Sequence, residues 1–304
     1  MSDNKIQTIS FKYIFIAGAM LFILSTTAYL YNFWVTEYPG NNYFSILLFM
    51  PSVMIAITYV WYELYWGSLK WPKRFILESM LYLGVAVILT VASIAAQYTP
   101  FSPIDNTLIA IERLCHIDLE LIINWTNHHP ALQRALMSNY DSIYLELYLI
   151  PIGVLIVHRY AYVREFCFLL LVTYIIGIIF YYVFPTTGPA SILKQASFLD
   201  VQYATGLKFW QIHHHIQPST SDGGLISMPS FHIIWAWLCT YMVRFNRPFF
   251  YFLLFYNAFM TIACVLLGWH YPIDIIGTVI TLSLAHWIYG FSMKHFKAKS
   301  LPSN

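Results

Sequence analysis

A chain of 304 residues with 59% hydrophobic and only 10% charged side chains, at a mean hydropathy of +0.61, lacks the polar surface of a soluble globular domain, in which about 25% of residues are charged. The formal net charge of +2 says nothing by itself about nucleic acid; no nucleic-acid partner is expected, and a lipid bilayer is. The aromatic share of 19% fits a bilayer too, because Trp and Tyr collect at the membrane–water boundary.

Apolar runs about 20 residues long predict membrane-spanning helices. In chain order they fall near 13–33, 44–65, 75–97, 142–158, 166–184, 229–244, 248–268 and 270–290. The fold expected is therefore all-α, a polytopic transmembrane bundle of about eight spans. The first run follows Lys12 and has the length of a full span, longer than the apolar core of a signal peptide, so it is expected to stay as an anchor. Lys and Arg divide unevenly between the loops. Lys5, Lys12, Lys70, Lys73, Arg74, Arg159, Arg164, Arg244, Arg247, Lys294, Lys297 and Lys299 fall on one side, and Arg113, Arg134, Lys194 and Lys208 on the other, 12 against 4. The positive-inside rule makes the first side cytoplasmic, with both termini there. Four cysteines without C-x-x-C spacing lie mostly in apolar segments and imply packing, not a disulfide framework.

Residues 1–97 thus hold the first three spans, and 98–141 form an outer segment. In that segment Ile104, Leu108, Ile111, Cys115, Leu119 and Ile122 make one helical stripe, with Glu112, Arg113, His116 and Glu120 largely off it, which predicts an interfacial helix or one packed on the outer ends of the bundle. Asn124-Trp125-Thr126 matches a glycosylation sequon, which matters only in a secretory pathway. A second outer segment, about 185–228, carries F-P-T-T-G-P, Lys194, Lys208 and His213-His214-His215, and its Pro and Gly rule out one continuous helix. Residues 142–291 make the remaining membrane core, followed by a cytoplasmic tail at 292–304.

Two polar motifs open spans on the outer side: S-M-P-S-F-H at 227–232 and G-W-H-Y-P-I-D at 268–274. On a helix beginning near His270, Asp274 is four residues later on the same face. A carboxylate there can accept the Nδ1 proton and leave Nε2 as nucleophile or base. His232 can supply a second imidazole from across the bundle, as leaving-group acid. Ser230 and the backbone N–H groups of the sixth span can hold an anion. Each residue also has a plain structural reading: His232 as a satisfied buried polar group, Asp274 as a cap, Pro229 and Ser230 as helix starters. The triple histidine suits a metal poorly, because consecutive residues point in different directions. No metal site and no cofactor are expected. His286 is expected to make a structural hydrogen bond. Glu78 lies near or within a span, and Glu146, nearer the outer face, is a candidate for the pocket lining.

P-S-F-H followed by G-W-H-Y-P-I-D resembles the second and third motifs, P-S-x-H and H-x-x-x-D, of the type 2 phosphatidic acid phosphatase superfamily. With F-P-T-T-G-P and G-L-I-S-M in front, the pattern is most similar to the inositol phosphorylceramide synthase branch and its bacterial relatives. The resemblance covers about residues 140–290 and implies a six-helix phosphatase-like core. It implies His270 as phosphohistidine nucleophile, Asp274 as its orienter, His232 as acid and then base, and Ser230 as a phosphate contact. It further implies a metal-independent lipid phosphatase or phosphotransferase acting on a membrane lipid phosphoester, in a bacterial inner membrane with the site facing outward. Two departures stand out. The Arg that many members place six residues before the nucleophile is Cys264 here, and the basic first motif is missing. Lys194 and Lys208, one of His213 to His215, or Arg134 are the candidates to replace that charge. The readings from other classes are a membrane transporter and a non-catalytic lipid-binding member.

Overall fold

The computed structural model describes residues 9–38, 50–66, 70–193, 197–220 and 226–300. Three helices come first: α1 (Phe11–Trp34), α2 (Met50–Trp66) and α3 (Lys70–Ala95). Three short ones follow, α4 (Asp105–Leu114), α5 (Leu119–Asn127) and α6 (Pro130–Asp141), then α7 (Ile143–Ile156) and α8 (Tyr160–Val183). Next come two more outer helices, α9 (Pro189–Ile192) and α10 (Asp200–His213), and finally α11 (Phe231–Met242), α12 (Arg247–Leu266) and α13 (Pro272–Ser300). Among the described residues there is no strand. Each of the eight expected apolar runs has its helix. Five of these helices (α1, α3, α8, α12 and α13) are long and apolar enough to cross a membrane, and α2, α7 and α11 are shorter apolar helices.

Local chemistry places the helix starts. Ser10, Asp118, Ser230 and Asn246 are N-caps whose side chains accept a backbone N–H of the first turn, which satisfies donors the helix cannot pair internally. α8 is the axis of the bundle: 67% of its apolar window is buried, against 28% for α1, α3 and α12. The outer helices turn large side chains away from the protein, with Phe15 76%, Phe255 82% and Trp287 67% exposed. Apolar surface on that scale is tolerated where lipid covers it, and the chain is an integral membrane protein.

At one end of the bundle, two ion pairs tie helices together. Arg164 on α8 grips the buried carboxylate of Glu78 on α3 and stacks over the Phe11 ring of α1, 3.9 Å from its centroid. Arg244, between α11 and α12, pairs with Glu165 on α8. Within the bundle, Asn257 on α12 donates to Glu146 on α7 (2.9 Å), to Thr240 Oγ1 (2.9 Å) and to Ala236 O (3.1 Å). Trp237 Nε1 donates to His286 at 3.0 Å, the structural hydrogen bond expected of that histidine.

At the other end, α4, α5, α6, α9 and α10 form a cap over the openings of α11 and α13. The continuous stripe expected across 104–122 is broken. α4 ends at Leu114, His116 takes a left-handed φ of 59°, and Asp118 restarts the chain as α5. The faces differ from the expected stripe as well. Leu108 and Leu119 are buried, but Ile111 and Cys115 are exposed, and Glu112 is only 3% exposed. Glu112 turns inward because its Oε1 accepts the N–H of Ile273 (3.1 Å), a first-turn donor of α13 that has no partner within its own helix. Gly268 has φ +75°, and a Cβ there would stand 2.6 Å from Ile123 of α5, so the tight approach of cap to turn needs glycine at this position.

Two predictions follow from these contacts. Arg164→Met strands the buried Glu78, since Arg74 stays 4.0 Å away. It should lower stability by about 3 kcal/mol, read as the unfolding midpoint in detergent, and a second change, Glu78→Gln, should restore most of it. Burial raises the Glu112 carboxyl from 4.5 to about 7, the Ile273 hydrogen bond opposing this and the Asp274 charge adding to it. The folded state therefore holds this proton more tightly than the unfolded chain. The group's stability contribution is complete below pH 4.5 and declines as pH rises to about 7, by roughly 3 kcal/mol in all. Glu112→Gln should flatten the fall of the unfolding midpoint over that interval; a slope identical to wild type would refute the assignment.

Candidate active site

The two motifs meet between the mouths of α11 and α13. Trp269 and His270 both donate their N–H to Cys264 O, at 3.1 and 3.0 Å, which folds the G-W-H turn back over the end of α12. His270 then stands just ahead of α13, with Asp274 in the helix's first turn. Asp274 has no exposed surface. Its Oδ2 accepts from His270 Nδ1 (3.2 Å) and from Tyr271 N–H (3.0 Å), with the Ser227 hydroxyl at 3.5 Å. On the other side of the ring, His270 Nε2 lies 3.1 Å from Ser230 Oγ. A carboxylate on Nδ1 assigns the proton to that nitrogen, leaving the Nε2 lone pair to accept from the serine hydroxyl. Ser230 is itself fixed, its N–H donating to Thr278 Oγ1 (2.9 Å) while Thr278 donates to Asp274 O (2.8 Å).

His232 lies in the first turn of α11, its ring 6.3 Å from that of His270 by centroids and inclined at 60°. Tyr140 of α6 stacks on it at 4.2 Å and on Trp269 at 5.3 Å, and the Tyr140 hydroxyl is 3.2 Å from His232 Nδ1. His232 Nε2 is buried without a hydrogen-bond partner among the described residues. Both histidines line one cavity of about 50 Å³, room for a few water-sized groups. The arrangement thus presents one oriented lone pair and one uncommitted imidazole nitrogen to the same space. That pairing can attack and protonate.

The facing wall of the cavity is Thr187, Gly188, Pro189 and Ala190, part of the F-P-T-T-G-P stretch and the start of α9. Asp105, on α4 and 1% exposed, holds this wall from behind. Its carboxylate accepts the N–H of Thr187 (3.0 Å) and of Gly188 (2.9 Å) and the hydroxyl of Tyr271 (3.0 Å). Burial pushes that carboxyl up from its usual range, with those donated bonds opposing the shift. Gly188 takes φ +85° at this bend, where an L side chain would be strained.

Of the residues singled out in the sequence, His270, Asp274, Ser230 and His232 are brought together. The basic candidates among the described residues do not join them. Lys194 lies outside the described residues. Lys208 is fully buried on α10 but is not part of the cavity lining, and Arg134 is exposed on α6. Cys264, in the position of the expected Arg, is buried in α12. No Lys or Arg lines the cavity among the described residues. Glu146 is engaged by Asn257 within the bundle and does not reach the lining. The three consecutive histidines border a separate, neighbouring cavity of about 480 Å³ and do point apart. His213 Nε2 is buried without a partner among the described residues, and burial pushes its pKa down to about 4. His214 folds back onto Trp210 O (2.7 Å), and His215 packs edge-on against Tyr98 at 4.4 Å. Among the described residues no cluster of three His, Cys, Asp or Glu side chains could hold a metal.

Sequence reasoning missed Asp105, Tyr140, Thr278 and Trp269. Asp105 had one available signal, an acid at the start of an amphipathic outer helix, which reads equally well as an ordinary first-turn acid. Tyr140 had none, being one of 24 tyrosines.

No curated protein and no solved structure matches this chain significantly. One family pattern does match, that of the PAP2 superfamily, over residues 106–288, more than half of the chain and inclusive of both motifs. Members of that superfamily are generally phosphatases or phosphotransferases. With its helical membrane architecture and its paired P-S-F-H and H-Y-P-I-D motifs, the chain belongs to the PAP2 superfamily.

Proposed function

We propose that the protein is a membrane lipid phosphatase or phosphotransferase working through a phosphohistidine at the extracytoplasmic face, nearest to the inositol phosphorylceramide synthase branch of its superfamily. The observation that carries this reading is the shared cavity in which Asp274 and Ser230 fix the two nitrogens of His270 while His232 Nε2 stays free. In the first step His270 Nε2 bonds to phosphorus and the ester P–O bond breaks. The departing lipid oxygen takes a proton from His232, and Asp274 balances the charge that develops on the His270 ring. In the second step His232 takes a proton from water or from an acceptor hydroxyl, whose oxygen bonds to phosphorus as the P–N bond breaks. Ser230 turns its hydroxyl from His270 Nε2 to a phosphoryl oxygen once that nitrogen is committed to phosphorus. None of these steps requires a metal.

Depth favours a lipid substrate. α12 has 20 residues, a rise of about 30 Å, which equals the hydrocarbon thickness and puts the G-W-H turn at the outer boundary. A phosphoester in the headgroup layer meets the cavity there while its tails stay in lipid. An eight-span topology with both termini in the cytoplasm is supported by the 12-to-4 division of Lys and Arg, and the inner membrane of a bacterium as the location rests on the resemblance to the bacterial relatives of that branch. The negative charge on the transferring group still needs a cation. Lys194 is assigned that role because it follows α9, whose first residues line the cavity. The uncharged lining among the described residues favours one competing reading, a lipid-binding member without activity.

Turnover separates the two. Purified protein in detergent, with a chelator, is given phosphatidic acid or a polyprenyl diphosphate, and free phosphate and new phospholipid are measured together. His270→Ala should abolish turnover and the acid-labile phosphoprotein, and His232→Ala should slow it about 10²- to 10⁴-fold. Absence of turnover in the wild type with every phosphoester, alongside retained lipid binding, would establish the inactive reading. Lys194→Gln should lower kcat/KM about tenfold or more, the loss of one charge contact to the transferring group. Unchanged kinetics in that variant would place the cation elsewhere.

A further inference from the structure

Tyr271, the residue after the proposed nucleophile, is pinned at both ends. Its N–H donates to Asp274 and its hydroxyl to Asp105, and the side chain has no exposed surface. Asp105 in turn gathers the N–H groups of Thr187 and Gly188, which form the opposite wall of the cavity. One carboxylate on α4 therefore connects the segment that carries His270 to the wall facing it. Tyr271 is a large anchor for that purpose. Buried phenol hydroxyls are costly without a partner, and this one has the strongest kind of acceptor, a carboxylate.

From this connection we infer that Asp105 is a positioning residue for the reaction, acting through Tyr271 and the Thr187–Gly188 turn to set the distance between His270 and the cavity wall. The inference rests on the proposed role of His270 but makes a separate claim. Asp105 touches neither His270 nor His232. A role confined to holding the fold together would leave each folded molecule with an unaltered His270. A positioning role predicts folded molecules in which that histidine is displaced, and a displacement of about 1 Å in a reacting group can cost 10²-fold in rate. Loss of the clamp also removes a barrier to local opening of the His270 turn.

The test uses the full chain in detergent, with Tyr271→Phe, which deletes a single hydroxyl, Asp105→Asn, and the double variant. Acylation of His270 by diethyl pyrocarbonate is followed by mass spectrometry, with exposed His158 at the α7–α8 turn as internal reference. Phosphate release from a short-chain phosphatidic acid gives kcat and KM per folded protein. Both single variants should acylate His270 at least about threefold faster with His158 unchanged. Their kcat should fall about tenfold or more with KM within about twofold. The double variant should lose no more than the worse single variant, since both changes cut one connection. Wild-type acylation and wild-type kcat in both singles, or losses that multiply in the double variant, would overturn the inference. If Asp105→Asn fails to fold, Tyr271→Phe decides alone. A wild type without turnover would refute the proposed function, and acylation would still decide the positioning claim.

Discussion

A carboxylate with no exposed surface cannot be left alone in a protein whose surroundings are lipid, and Asp274 organises the site because of that constraint. The desolvation of such a group costs several kcal/mol unless donors replace its water. Here the donors, the His270 ring, the Tyr271 N–H and the Ser227 hydroxyl, all converge on Oδ2, while Oδ1 is buried without a partner among the described residues. They come from the turn before α13 and from the segment before α11, so satisfying one charge brings both motifs into register. The Thr278 bridge from Asp274 O to Ser230 N–H fixes the same register through the helix backbone. The orientation of His270 is thus a consequence of electrostatic necessity as much as of local packing.

The same logic extends outward through α4. Asp105 and Glu112 are seven residues apart, two helical turns, and so share a face. One accepts the wall of the cavity and Tyr271, and the other accepts a first-turn N–H of α13. A chain that is 10% charged has few carboxylates available, and these two are both turned inward. At the opposite end of the bundle, Glu78 and Glu165 are buried against Arg164 and Arg244. Ion pairs at this end and the Asn257–Glu146–Thr240 network within the bundle suit a bilayer. Interhelical contacts there gain nothing from excluding water, and polar pairs at the ends and within the bundle help set the helix positions instead.

Much of this was legible in the sequence. Eight apolar runs became eight apolar helices because length and hydropathy decide the matter almost alone. His270 and Asp274 were legible as a pair because i and i+4 share a helix face, and His232 joined them by the side on which its motif opened. The outer cap was far less legible. A 3.6-residue stripe from 104 to 122 ignores the break at Leu114, which is set by a left-handed His116 and the N-cap Asp118. Nor does polarity reveal inwardness: Glu112 looked solvent-facing because nothing local announces that the N–H of Ile273, 161 residues later, lacks a partner. The position of Lys208 failed for a similar reason, since an outer loop in the sequence is a packed helix in the structure.

The missing arginines acquire a physical meaning in this setting. At the edge of a bilayer a permanent unpaired cation in a low dielectric is costly, so a site proposed to take an anion gains from donors that carry no fixed charge. The described lining holds two imidazoles and the Ser227 hydroxyl but no Lys or Arg, and it adjoins the N-terminus of α11, whose dipole favours negative charge. The backbone N–H groups of Thr187 and Gly188 would be further donors, but Asp105 has already taken them. An anion held there would still call for a cation to balance it, and none stands in the described lining. The departure from the family pattern thus removes fixed charge from beside the cavity, Cys264 being buried in α12, and leaves the two imidazoles and the carboxylate behind His270 in place.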